Sequence, residues 1–580
     1  MKQKHNSGIV RAMGRGAETL GQTARITIKS VIFGGLLSLL LTLAASVAYL
    51  GYVQPNTPAW TWAWVKAEAL CPVETTLSIL PIGNKRPDWI AVYDPHGQPW
   101  YPCDLGDQLR PGIWQLAGDY GRTAGLIWLI GTAVFAGLFA RRGLGLKSEK
   151  IERGIIVVDA VNFKPPYRGS TITLAGVPLP PGSETQHILT LGTTGTGKTT
   201  AILEILDQIR QRKQRAIVYD YTGELYSFYG RPHQDILLNP LDARSVHWTP
   251  WAEIREEGDA QTLTEIIIPD DPNSEEIWIL GGRALWEAAL TQVEPKTVTA
   301  LLKLLCTNDL KELGRLAEGT VAAAMISERS AKLSISFQAT TAAYANPLRF
   351  LRESSRPQFS ITDWVLSENQ DSWLFISAPE RKRKALRPLL AIWIEIAATA
   401  ALSLSPSRQR RLWFVMDEFA TLNRLDAIPN LLAEGRKYGV CGLIGLQSFV
   451  QLRKPYGYPA TITTLCSTWL TTRLTDPEST EMAARSLGEV EVIEVSEAIN
   501  YGTSRDGLRL SDNRRIRPSV LPCEIAQLPN CHGYLRLSGQ YPVIRVELHP
   551  TERSAILELK MLAPPEESVA SHMLAQRGRK

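Results

Sequence analysis

Residues 188 to 206 read ILTLGTTGTGKTTAILEIL. An apolar run leads into a glycine-rich loop, and a helix-forming run follows. Gly192 to Thr199, GTTGTGKT, fit the phosphate-binding loop of nucleoside triphosphatases in full. Gly195 and Gly197 let the backbone pass close to phosphate and turn its amides inward. The helix that follows presents its positive end at the same place. Lys198 is placed to reach the β- and γ-phosphates and Thr199 to ligate Mg2+, while Thr193, Thr194, Thr196 and Thr200 complete the loop. ATP with Mg2+ is the expected cofactor pair. GTP is disfavoured because no Asn-Lys-x-Asp motif is present.

A nucleotide loop needs an acidic partner. RLWFVMDEFATL, 411 to 422, reads as a buried strand ending in Asp417 and Glu418. Asp417 would hold the Mg2+ shell. Glu418 would orient and deprotonate the attacking water. A surface acidic pair is the competing reading, and the apolar run before it argues against that. The next strand, in LIGLQSF, ends in Gln447, which would sense the γ-phosphate or serve as a cap or buried amide. Arg473 ends a later strand, TWLTTRL; it is either a finger reaching a neighbouring subunit's nucleotide or a surface ion-pairing residue. Arg436, in EGRKYGV, is the weaker candidate for that role. LSGQ, 537 to 540, resembles the ABC-transporter signature but lacks a glycine and sits in an expected hairpin, so it is set aside.

Around these motifs the pattern alternates. GIIVVDA, TITLAGVPL and RAIVYD (215 to 220) read as β-structure. From 253 to 355 helical periodicity takes over, as in IWILGGRALWEAALTQ and TVTALLKLLCT, which predicts an all-α insertion. Strand signals return at SWLFISA, RLWFVMD, CGLIGLQ and TWLTTRL, with helices between, arguing a mainly parallel sheet covered on both faces. GYLRLSGQYPVIRVEL, 533 to 548, reads as a closing hairpin.

Two uncharged apolar segments, 31 to 53 and 123 to 140, are long enough to cross a bilayer, for which about 20 residues are needed. The first starts too late and runs too long for a secretory signal. Basic residues before the first (Lys2 to Lys29) and after the second (Arg141 to Lys150) place both termini in the cytoplasm. Residues 54 to 122 then form an external loop carrying Trp60, Trp62, Trp64, Trp89, Trp100 and Trp114, as membrane-interface anchors or as a small external fold. Cys71 and Cys103 are the cysteines of that loop and, in a periplasm, can pair as a disulfide. The other five, Cys306, Cys441, Cys466, Cys523 and Cys531, match no zinc spacing and read as buried thiols. The net charge of +5 does not by itself argue nucleic-acid binding.

Taken together, TLGTTGTGKTT, IVYDYTGELYSFY, LNPLDARSVHWTPW, FVMDEFATLNRLDAIPNLLAEGRKYGV and GLQSFVQLRKPYG resemble the coupling proteins of conjugative type IV secretion, of the TraD/TrwB type, over roughly residues 25 to 550. The resemblance implies a RecA-like nucleotide-binding domain at 151–252 and 356–550, an all-α domain at 253–355, an N-terminal membrane domain at 1–150 and a short tail at 551–580. It implies a homohexamer at the bacterial inner membrane that hydrolyses ATP. Such a ring binds DNA with little sequence preference and hands a relaxase-bound strand to the secretion channel. Gly192 to Thr199, Asp417, Glu418 and Gln447 match the family's site positions, and Asp220 and Glu224 match an element after its second strand. Larger relatives dock DNA-processing partners on acidic tails; the basic RGRK at 577–580 puts that in doubt here and leaves the helical insertion as the docking surface.

DNA would be gripped through phosphates. Arg381, Lys382, Arg383 and Lys384 form the densest basic run, and Arg453 and Lys454 lie beside Tyr456 and Tyr458, which would stack on bases. A solvated face or anionic lipid is the alternative partner for either run. The competing functions are an ATP-switched cargo receptor, a translocase of the FtsK kind and a structural ring.

Overall fold

The computed structural model describes residues 57–79, 91–112, 149–169, 172–270, 275–306, 310–319, 331–354, 356–368, 371–422, 424–457, 461–500 and 507–558, with isolated positions between. The chain divides into two compact units, 1–148 and 149–580. The apolar segments 31–53 and 123–140 fall outside the described residues except at isolated helical positions, of which Leu36, Leu40, Leu126 and Ile130 are exposed.

In the first unit a helix, Thr57–Ile79, lies against a two-strand ribbon, Val92–Tyr93 with Pro99–Trp100. Ala63, Ala67, Val92 and Leu105 form its small core, with Trp60 and Trp100 packed against them. Asp94 organises the ribbon turn: its carboxylate accepts the amides of His96 and Gln98 and, at 3.0 Å, the indole N–H of Trp100. So small a core needs a staple, and a disulfide joins Cys71 to Cys103. Trp62 stays exposed, and Trp89 and Trp114 lie outside the described residues.

The second unit is built on a ten-stranded sheet. Its strands are β1 (Val157–Asp159), β2 (Ile188–Leu191), β3 (Arg215–Asp220), β4 (Ile236–Leu238), β5 (Trp373–Ser377), β6 (Leu412–Met416), β7 (Val440–Leu446), β8 (Thr468–Thr471), β9 (His532–Arg536) and β10 (Val543–Glu547). They lie in the order β1-β10-β9-β8-β2-β7-β6-β3-β5-β4. From β8 through β2 to β4 the pairs are parallel. The pairs β8–β9 and β9–β10 are antiparallel, and β10–β1 is parallel, so the sheet is mixed. The central strands are continuous apolar runs because both faces are covered; β2, β3, β5, β6 and β7 are buried throughout. LSGQ sits at the turn between β9 and β10.

One face is covered by α1 (Lys198–Gln211), whose Ile202, Ile205, Leu206 and Ile209 are buried in its core. The other is covered by a larger core that runs on into the helical part. There α2 (Asp259–Ile267), α3 (Glu276–Gln292), α4 (Val298–Cys306), α5 (Leu310–Ala317) and α6 (Ala331–Ala345) follow without a strand among the described residues. Next come α7 (Arg383–Leu402), after β5, and α8 (Ala427–Glu434), after β6. Among the described residues α7 with the turn before it is the one helix long and apolar enough to span a membrane, yet most of it is buried. It is the core helix of this unit.

Several strands lay outside the sequence reading. β4 is only three residues long. A separate sheet pairs Glu489–Asn500 with Gly507–Pro518 and with Glu149–Gly154. The stretch GIIVVDA thus holds the end of one strand and all of another. Of the five cysteines expected as buried thiols, Cys441 and Cys466 are buried, whereas Cys306 and Cys523 are exposed and Cys531 is intermediate.

Candidate functional site

The glycine-rich loop leaves β2 at the carboxyl edge of the sheet and enters α1. Gly197 immediately precedes the helix with φ of +106°, where any Cβ would also press on the Leu548 side chain and the Cys531 backbone. No side chain caps α1, so its first-turn amides are left to an anion. Neighbouring strand ends hold the loop in shape. The Gly192 amide donates to the Leu446 carbonyl, and the Thr193 amide and hydroxyl both donate to the Arg473 carbonyl. Thr196 donates to the Thr193 carbonyl at 2.7 Å, and its hydroxyl lies 2.7 Å from that of Thr472. Gly195 is exposed at the tip, with Thr194; Thr199 is exposed and Thr200 half-buried.

The acidic pair arrives from β6. Asp417 and Glu418 are 8% and 3% exposed, so the surface reading of this pair does not hold. The Lys198 ammonium donates to Glu418 Oε2 at 2.8 Å, and the Gln447 amide donates to the same oxygen at 2.7 Å. Three residues from three elements thus meet on one atom. Gly445 permits this approach: a Cβ there would lie 2.0 Å from the Asp417 carbonyl. Burial pushes the Asp417 carboxyl up, Lys198 opposes that, and Glu418 and Glu224 add to it. Asp417 Oδ1 and Glu418 Oε1 are buried with no hydrogen-bond partner. Unpartnered carboxyl oxygens beside an ammonium and an uncapped helix start are what a Mg2+-bound triphosphate requires. An ammonium has three donors, so the bond to Glu418 leaves Lys198 able to hold phosphate as well. The residues present therefore fit Mg2+–nucleotide.

Asp220 supports this edge. It is 1% exposed and accepts the amides of Gly223 and Tyr226 at 2.8 Å, fixing the turn that carries Glu224. Burial raises its pKa to about 6 against those amides, and the charge of Asp417 raises it further.

Arg473 does not reach into this cluster. One of its guanidinium nitrogens donates to the Leu528 carbonyl of the same chain at 3.3 Å, while its backbone carbonyl anchors the loop. Arg436 is exposed. Arg381, Lys382 and Lys384 are exposed at the start of α7, whereas the Arg383 guanidinium lies over the Tyr221 ring, 3.7 Å from its centre. Arg453 pairs with Glu478. Tyr456 is not available for stacking on bases: its ring stacks on Phe419 at 5.6 Å and its hydroxyl accepts the Leu425 amide. Tyr458 and the side chain of Lys454 lie outside the described residues. Sequence reasoning missed Thr472 altogether; its one signal was a second hydroxyl in the TT pair that ends β8.

Residues 171–549 match the family described as the type IV secretion-system coupling protein DNA-binding domain. Coupling protein TraD of Escherichia coli (strain K12) is 30% identical over 440 residues, covering 73% of this chain and 61% of that protein. The chain therefore spans about three fifths of that relative's length. Among solved structures, plasmid coupling protein TrwB in complex with ADP and Mg2+ is 28% identical, with a TM-score of 0.63, covering 71% of this chain and 97% of that one. The same protein with the non-hydrolysable ATP analogue ADPNP is 28% identical with a TM-score of 0.63, covering 72% and 98%.

Proposed function

The chain belongs to the type IV secretion-system coupling proteins, and we propose on that basis that it is a membrane-anchored, DNA-dependent ATPase. It recruits a relaxase-bound DNA strand to a type IV secretion channel and drives conjugative transfer. The observation that carries this reading is the convergence of Lys198 and Gln447 on Glu418, beside the unpartnered oxygen of Asp417.

Each residue then has a task. The loop amides and Lys198 bind the β- and γ-phosphates. Thr199 and Asp417 hold Mg2+, which when bound withdraws charge from the phosphate oxygens. Glu418 orients the attacking water and takes its proton. Gln447, bonded to Glu418, carries the state of that carboxylate into the helix that follows β7. Arg473 acts across a subunit boundary of a homohexamer, the arrangement in which an arginine finger completes a neighbour's site. Segments 31–53 and 123–140 cross the inner membrane, with 54–122 outside and both termini in the cytoplasm. The disulfide between Cys71 and Cys103 suits that oxidising side. DNA passes the exposed cations Arg381, Lys382 and Lys384, with Arg453 and Lys454 as a second set.

The test is ATP hydrolysis by the full chain in nanodiscs, with and without single-stranded DNA, and with GTP in parallel. Stimulation of ATP hydrolysis by DNA supports the motor. Turnover indifferent to DNA points instead to the ATP-switched cargo receptor.

A further inference from the structure

A cleft of about 330 Å3 opens between α2, α7 and the segment that enters α8. Part of its wall is hydrocarbon, from Ile266 and Ile392 among others. The rest is dominated by four carboxyls, and two of these are neutralised. Asp270 pairs with Arg283 at 2.9 Å and Asp426 with Arg424 at 2.6 Å. Glu265 and Glu395 form no ion pair among the described residues, and the Gln261 amide donates to Glu265 Oε1 at 3.3 Å.

Glu395 is the unusual one. It is 7% exposed, in the middle of the apolar helix α7. Its Oε2 accepts the Ala427 amide at 2.8 Å, so it caps α8 from another helix. Its Oε1 is buried and meets no hydrogen-bond donor in good geometry. Burial pushes its pKa up to about 8 against the backbone amides of Ala427 and Asp426, and the charge of Asp426 adds to the rise. The charged and titratable groups around it are Glu265 from α2, Arg283 from α3, Asp270 between them, Tyr344 from α6, Arg424 and Asp426 before α8, and Tyr456. The two arginines are committed to the two aspartates. A buried carboxyl with an idle oxygen costs free energy unless a donor meets it.

The described residues hold no cluster of His, Cys, Asp or Glu fit for a metal ion, so the complement has to bring its own N–H donors. It also has to cover hydrocarbon. An alkyl chain ending in ammonium groups does both. We propose that this cleft is a binding site for an aliphatic di- or polyamine, with its ammonium ends on Glu395 and Glu265 and its methylenes on Ile266 and Ile392. Glu395 ionises as the amine binds and releases its proton. The segment it caps is the one that leaves the Asp417–Glu418 strand end, so the ligand braces the helical part against the nucleotide-binding body.

The test is calorimetric titration of the full chain in nanodiscs with 1,4-diaminobutane and with spermidine. It is run at matched ionic strength in two buffers of different ionisation enthalpy, with NaCl and MgCl2 as controls. The expected result is saturable binding with close to one proton released. Affinity rises up to about tenfold per pH unit between pH 6 and 8, because the carboxyl must lose its proton first. Glu395→Gln weakens binding at least about tenfold and removes the pH dependence. Glu265→Gln changes an exposed residue, leaves the fold undisturbed and weakens the diamine more than it weakens butylamine. The proposal is overturned by heats no larger than those of the salts, or by binding that neither variant alters. Neither outcome depends on ATP turnover, so the nucleotide reading stands or falls separately.

Discussion

Glu418 and Glu395 are the same residue in nearly the same depth of burial, 3% and 7% exposed. Their surroundings solve the charge problem in opposite ways. Glu418 has an ammonium at 2.8 Å and a carboxamide on the same oxygen. Glu395 has a backbone amide from the start of a helix, and its pKa rises to about 8. A buried carboxyl beside a lysine has a counter-charge in contact. One held only by dipoles stays protonated through much of the neutral range. The contrast shows that depth does not decide what a buried acid can do; the nearest cation does.

The broadest expected effect, on nucleotide binding and rate together, comes from erasing the difference. Lys198→Ala removes the counter-charge of Glu418 and the phosphate grip together. Hydrolysis should fall by at least about 100-fold, roughly 3 kcal/mol of lost stabilisation, and a fluorescent nucleotide analogue should no longer bind at micromolar concentration. Full turnover in this variant would mean that the Lys198–Glu418 pair is structural only.

Glu418→Gln separates binding from chemistry. Removal of a general base costs about 100- to 10,000-fold in rate, while nucleotide affinity, measured by the same fluorescence titration, should stay within a few-fold. Equal loss of affinity and rate would move Glu418 from the proton-transfer role to the binding role.

The smallest effect, and the one with a pH signature, belongs to Glu395→Gln. The folded carboxyl has its pKa at about 8 against the usual 4.5, so the folded state binds a proton that the unfolded chain releases. Its contribution to stability is complete below pH 4.5 and declines as pH rises towards 8. Glutamine does not titrate. The variant's melting temperature should therefore draw ahead of the parent's from pH 5 to 8, by about 2 °C or more at the upper end, and the gap should level off above that. A constant gap across this range would mean that Glu395 carries its charge in the folded protein.

The nucleotide edge was legible because its chemistry is local. GTTGTGKT states the loop in consecutive residues, and RLWFVMDE shows a buried strand ending in acids. The apolar runs at 188–191, 412–416 and 440–446 gave the parallel core for the same reason. What stayed hidden depends on partners far along the chain. Glu395 is one acid in LLAIWIEIAATAAL, and nothing nearby announces that it caps a helix at Ala427. Tyr456 looked like a base-stacking ring because it stands among cations, whereas Phe419 already covers it. Glu489–Asn500 does show alternation in EVEVIEV, yet one of its partners begins at Glu149, a pairing beyond local patterning.

That last pairing bears on how the body carries load. The first strand of the second unit, Glu149–Gly154, is laced to Val490–Glu494, and β1, just after it, runs parallel to β10. A pull along the chain at residue 149 would meet these ladders lengthwise and work several hydrogen bonds at once. A strand fastened in this way resists being peeled open one bond at a time, so tension on residue 149 would pass into the sheet that carries the nucleotide loop.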